Sequence, residues 1–232
     1  MTGSRPARDL LDKRGEADNV ALMARALFIS FEGGEGAGKS TQVARLAARL
    51  KDDGRDVVAT REPGGSPGAE RIRDLLVRGD ADRWSPVTET LLMYAARRDH
   101  VERVIFPALA RGAVVVCDRF IDSTRAYQGA GGGAPEALIT MLEAQVLDHT
   151  WPDLTLVFDL PVEIGLGRAA GRGDQETRFE EMDLGFHARL RAAFLEIARR
   201  DPQRCIVINA AGDADVVAAR VWDAVSARLE TR

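Results

Sequence analysis

At 232 residues, with 45% hydrophobic and 29% charged side chains and a formal net charge of −4, the chain can bury a full core and reads as one globular domain with appendages. That charge balance excludes a surface built broadly for nucleic acid or anionic lipid. No apolar run approaches the ~18 residues of a membrane span, and there is no apolar secretory signal, so a cytoplasmic location is expected. Cys117 and Cys205 each lie inside apolar runs and read as buried reduced thiols, while no Cys/His cluster has zinc spacing.

Residues 1–24 carry dense mixed charge and only short apolar pieces, so they read as a mobile extension ahead of a domain over 25–232. From Leu27 onward, short apolar runs alternate with amphipathic stretches. "LFISFE" (27–32), "DVVAT" (56–60), "AVVVCD" (113–118), "LTLVFDL" (154–160) and "CIVINA" (205–210) are continuous enough for strands buried on both faces. Between the first two, Val43, Leu46, Ala47 and Leu50 recur at helical spacing and Gly54 supplies a stop. Further helices are expected at 68–78, 87–111, 135–148, 162–170, 181–200 and 213–229, and "GAGGG" (129–133) as a loop of unusual backbone angles or close approach. The alternation predicts an α/β fold, a five-stranded parallel sheet with helices on both faces and ligands beyond the carboxyl ends of the strands.

The first strand runs into "GGEGAGKS", Gly33 to Ser40, the G-x-x-x-x-G-K-S pattern of a P-loop. Gly33, Gly34, Glu35, Gly36, Ala37 and Gly38 can turn successive backbone N–H groups toward one anion, and the helix that follows adds its positive end. Lys39 would reach the β- and γ-phosphates of ATP, and the Ser40 hydroxyl, beside Thr41, would ligate Mg²⁺. Only three lysines occur, Lys13, Lys39 and Lys51, so a lysine at this position in an arginine-rich chain is informative. A guanine-specific GTPase would need N-K-x-D, and neither Asn19 nor Asn209 lies in one. A small-molecule kinase needs cations outside the P-loop for an anionic acceptor. Arg61, ending the second strand, and Arg119, after Asp118 at the end of the third, stand where they could clamp a monophosphate, with Asp118 orienting them or near the metal.

The segments "FEGGEGAGKST", "TREPGG", "LLMYAARRDHVERVIFPAL", "CDRF", "STRAYQG" and "GRAAGRGDQETRFE" together resemble the thymidylate kinase family over residues 27 to about 212. The resemblance implies a nucleoside monophosphate kinase-like fold, transfer of the ATP γ-phosphoryl group to dTMP with Mg²⁺, and a homodimer formed through helix 87–111. By position it implies Arg61 and Arg119 at the dTMP phosphate and Arg97 at the thymine O4 edge. Thr124 and Gln128 fall at the base, Tyr127 near the deoxyribose, and Glu35 near the sugar 3′-hydroxyl or the metal. Arg168 and Arg172 fall in a mobile lid over about 168–180, the bacterial arrangement in which a lid arginine closes over the γ-phosphate. Family members commonly place phenylalanine over the thymine where this chain has Met93, followed by Tyr94, and either could cover the base.

Overall fold

The computed structural model describes residues 26–80, 82–171, 178–179 and 182–230, so the expected extension at 1–24 and Arg172 of the expected lid lie outside the described residues. Strands β1 (Leu27–Gly33), β2 (Val57–Arg61), β3 (Val114–Asp118), β4 (Leu154–Asp159) and β5 (Cys205–Asn209) form one sheet, every pairing parallel, in the order β2-β3-β1-β4-β5. Helices α1 (Lys39–Asp52), α2 (Pro67–Val77) and α3 (Pro86–His100) follow the first two strands, and α3 continues through a wider π turn (Val101–Ile105) into α4 (Phe106–Ala110). After β3 come α5 (Ile121–Thr124), a π-helical segment (Arg125–Gly131) and α6 (Glu136–Val146). The rest are α7 (Val162–Ala170), α8 (Leu184–Arg200) and α9 (Ala214–Glu230).

Local chemistry sets several of these boundaries. Ser66 and Ser85 each accept a backbone N–H three residues on, and each is followed by proline at the first helical position, where a missing N–H costs nothing. α2 and α3 therefore start one residue before the expected positions. One expectation is corrected: Gly129 to Gly131 of "GAGGG" close the π-helical segment rather than forming a loop. The close approach is real, because a Cβ on Gly131 would stand 2.7 Å from the Phe186 ring.

The sheet has apolar layers on both faces. Leu27, Ile29 and Phe31 of β1 pack with Val43, Leu46 and Leu50 of α1 and Val217, Val221 and Val225 of α9. Phe28, pointing the other way as strand alternation requires, joins Val115 and Cys117 of β3 with Val101, Ile105 and Ala108. A third cluster seats Phe186, Leu190 and Phe194 of α8 against Val157, Cys205 and Tyr127. Both cysteines are free and buried, as expected. The register aligns Arg61 with Asp118 and Phe31 with Asp118, so three neighbouring strands end on one edge of the sheet.

Candidate active site

A cleft of about 240 Å³ opens at that edge, where the chain, having laid β2 and β3 on one side of β1, crosses over to lay β4 and β5 on the other. Its floor is the P-loop from Glu35 to Thr41, reached because β1 delivers Gly33 directly into a turn with positive φ at Gly33, Gly36 and Gly38. Gly36 is also where the loop meets the backbone of Gly165 in α7, too close for any side chain. Lys39 is buried and folds back, donating from Nζ to the Gly34 carbonyl at 2.7 Å and the Gly33 carbonyl at 3.1 Å. Burial, and secondarily the neighbouring Arg119 guanidinium, push its pKa down to about 8. Ser40 Oγ donates to Asp118 Oδ2 at 2.5 Å, so a hydroxyl and a carboxylate oxygen meet beside the loop. Two hard oxygen donors with room for water suit Mg²⁺, which is held by few protein ligands plus phosphate.

Above the floor the cleft wall is charged and tightly paired. Arg119, at a φ of 66°, turns its guanidinium back to the Gly33 carbonyl (2.9 Å), Ser123 Oγ (3.3 Å) and Glu35 Oε1 (2.9 Å). Tyr127 donates its hydroxyl to the same Glu35 oxygen at 2.6 Å. Arg61 lines the cleft but is drawn to Glu70 at 3.0 Å, so in this structure each of the two strand-end arginines faces its own carboxylate.

The far end of the cleft is built from α3 and the segment after α5. Arg97 is buried, donating from Nε to Glu62 at 2.7 Å and from Nη2 to the Phe120 carbonyl and Thr124 Oγ1, both at 3.0 Å. Its Nη1 is buried with no hydrogen-bond partner among the described residues. Glu62 in turn meets His100 Nδ1 at 3.0 Å, and His100 Nε2 reaches Thr60 at 2.7 Å. Met93 lines the cleft beside Arg97, Thr124, Tyr127 and Gln128, whereas Tyr94 is buried away from it with its hydroxyl toward Glu143.

The structure thus brings to one cleft Glu35 through Thr41, Arg61, Met93, Arg97, Asp118, Arg119, Thr124, Tyr127 and Gln128. Arg168 is not part of its lining: it sits exposed in the last turn of α7, with Nη1 3.5 Å from the Ala210 carbonyl. Six lining residues lie outside the expectations from the sequence: Glu62, Pro63, Arg73, Val77, Ser123 and Phe179. Arg73 lies in a helix dense with charge of both signs, where no pattern distinguishes it; Phe179 packs edge-on to Tyr127 at 5.3 Å between centroids. Glu62 adjoins Arg61, and an acidic residue between an arginine and a proline was the available signal.

Beneath the cleft, Glu32 of β1 is fully buried, accepting from Phe120 N at 2.9 Å and Ser123 Oγ at 2.5 Å. Burial, then repulsion from Asp122, raises its carboxyl from 4.5 to about 7, against the opposing pull of Ser123 and Arg119. A raised acid binds its proton more tightly folded than unfolded, so the stability it contributes is fully present below pH 4.5 and is lost as pH rises through about 7. Glu32→Gln removes this dependence. The melting temperature of wild type relative to the variant is therefore expected to fall by a few degrees between pH 5 and pH 8, measured by thermal denaturation in matched buffers; a constant difference would show that Glu32 does not titrate there.

A family model described as thymidylate kinase matches residues 31–221. The chain is 68% identical over 207 residues to a thymidylate kinase of Caulobacter vibrioides, covering 89% of this chain and 99% of that protein. It is 59% identical over 181 residues to one of Dinoroseobacter shibae, covering 78% and 87%. The crystal structure of thymidylate kinase from Ehrlichia chaffeensis superposes with a TM-score of 0.71 at 35% identity, covering 86% of this chain and 98% of that one. With the P-loop, the paired strand-end arginines and the buried Arg97 all in one cleft, and with these likenesses over nearly the whole domain, the chain belongs to the thymidylate kinase family.

Proposed function

We propose that this protein transfers the γ-phosphoryl group of ATP to dTMP, giving dTDP and ADP, with the acceptor in the cleft between Arg97 and the P-loop. The observation that carries the reading is the buried Nη1 of Arg97, without a hydrogen-bond partner among the described residues, in a side chain lining the same cleft as Lys39: one part of the cleft offers a fixed donor to a base carbonyl, another a phosphate cradle.

In this reading Lys39 leaves the Gly33 and Gly34 carbonyls for the β- and γ-oxygens, where its charge is worth more than in water. Arg61 and Arg119 exchange Glu70 and Glu35 for the acceptor phosphate. In that exchange Glu35, still held by Tyr127, accepts from the sugar 3′ side. Thr124 and Gln128 meet the base, and Met93 covers its face with a thioether. Ser40 and Asp118 would hold Mg²⁺, whose role is to neutralise charge building on the transferred group. Arg172 supplies a further cation to that charge, and Arg168, from its place beside Ala210, serves the donor nucleotide rather than the acceptor.

Two identical subunits are proposed to meet through the outer faces of α3, α4 and α6, where Leu91, Phe106 and Met141 are 46%, 55% and 55% exposed. No helix among the described residues is long and apolar enough to cross a membrane, in keeping with a cytoplasmic enzyme that meets its nucleotides in solution.

A coupled assay of ADP release across dTMP, AMP, CMP and GMP tests the reading. Activity with dTMP is expected to exceed the others by at least about 100-fold, because a site of buried hydrogen-bonding groups rejects acceptors that leave them unpaired. Comparable turnover of a purine monophosphate would overturn it.

A further inference from the structure

Gln128 is buried at the edge of the cleft and its amide nitrogen donates to Glu89 Oε1 at 2.7 Å. A carboxylate can only accept, so the amide must present its NH₂ to Glu89, and its carbonyl oxygen then takes no partner from the described residues. Glu89 is itself fixed. Its other oxygen receives Arg178 Nη2 at 2.5 Å, and Arg178 donates onward to the Leu76 carbonyl at 2.9 Å and the Asp80 carbonyl at 3.2 Å. Two buried side chains, Glu89 of α3 and Arg178, therefore hold the buried Gln128 amide of the π-helical segment in one orientation. Arg97 comes from the same helix as Glu89, two turns later; it lines the same cleft, and its buried Nη1 has no hydrogen-bond partner among the described residues.

We propose that Glu89 is a specificity-determining positioning residue: by locking the Gln128 amide as an acceptor beside the Arg97 donor, it makes the cleft complementary to a pyrimidine with a carbonyl at C4 and a hydrogen on N3. A base with an exocyclic amine at C4 and a bare N3 meets donor against donor and acceptor against acceptor. The inference rests on the reading that Arg97 and Gln128 face the acceptor's base. Arg178 belongs to it as the clamp that keeps Glu89 from rotating, and it ties base selection to the segment that also brings Phe179 to the cleft.

Glu89→Gln keeps the size of the side chain but replaces the obligate acceptor by an amide that can pair with Gln128 in either orientation. Kd and kcat/KM for dTMP and dCMP are to be measured in wild type, Glu89→Gln and Gln128→Ala. The ratio of dTMP to dCMP is expected to fall roughly tenfold or more in Glu89→Gln, with dCMP improving in absolute terms. Should loss of the carboxylate beside Arg178 impair folding, the double variant Glu89→Gln, Arg178→Gln removes both charges and is expected to give the same fall. A merely structural role for Glu89 would weaken both nucleotides by one factor and leave the ratio unchanged, which overturns the inference. If Gln128→Ala alters neither nucleotide, the placement of the base at Gln128 is what fails. If Gln128→Ala impairs dTMP while Glu89→Gln keeps the wild-type ratio, the placement stands and the role of Glu89 does not.

Discussion

Lys39→Ala is expected to keep its fold while losing phosphoryl transfer by about 10²–10³-fold or more, the effect of removing a fixed charge aimed where charge develops. Stability should change by only about 1–2 kcal/mol, the worth of two neutral-acceptor hydrogen bonds. Without a phosphate the ammonium is a buried charge held by two carbonyls, and its lowered pKa shows that the free protein disfavours it. The sign of that shift supplies a second check. A lysine whose pKa falls to about 8 in the free protein is partly neutral at pH 8.5, and a triphosphate beside it favours the charged form. Wild type should therefore take up a proton on binding ATP at pH 8.5, seen calorimetrically as a buffer-dependent heat, and Lys39→Ala should not. Near-normal turnover in the variant would refute the P-loop role; equal proton uptake in both would refute the assignment of the titration to Lys39.

Arg97→Ala is expected to abolish productive dTMP binding and also to be the most destabilising of these substitutions. Its Glu62 partner is 4% exposed in its side chain, and removing one member of a buried ion pair costs about 3–5 kcal/mol because the other charge is left in low dielectric. The Phe120 carbonyl and Thr124 lose their donor at the same time. At roughly 2–4 °C per kcal/mol for a domain of this size, the melting temperature should drop by roughly 6–20 °C. His100 Nδ1 stays 3.0 Å from Glu62 Oε1, so the carboxylate keeps one of its two side-chain partners in the variant. The upward shift in melting temperature that dTMP gives wild type should vanish in the variant. A variant as stable as wild type would show that Glu62 does not depend on Arg97, and one still stabilised by dTMP would remove Arg97 from the base site.

Much of this was legible in the chain before any coordinates. The five strands announce themselves because a sheet covered on both faces needs uninterrupted apolar runs, and "AVVVCD" or "LTLVFDL" can be little else. The phosphate loop is legible because its glycines answer a backbone requirement, positive φ at Gly33, Gly36 and Gly38. Less of the 121–133 stretch could be read. "STRAYQG" follows a π-helical path whose repeat matches neither the helical nor the strand period, so its glycines look like a loop while they close a turn. Arg168 illustrates a different limit: a glycine-rich basic segment is visible, but not the direction in which its arginine leaves the helix, here toward Ala210.

By itself, then, the sequence determined the layered α/β fold, the phosphate cradle and the edge of the sheet where a ligand must lie, because periodicity, apolar run length and backbone tolerance are properties of contiguous residues. Only the tertiary structure decided how the charges in the cleft are shared. Glu62 holds Arg97, Glu35 holds both Arg119 and Tyr127, and Glu89 holds both Gln128 and Arg178, although the partners stand 35 to 92 residues apart in the chain. Spacing cannot forecast such pairings. They arise because strand ends and helix faces bring several carboxylates and guanidinium groups into one small, poorly hydrated space, where each charge must find the partner that geometry allows.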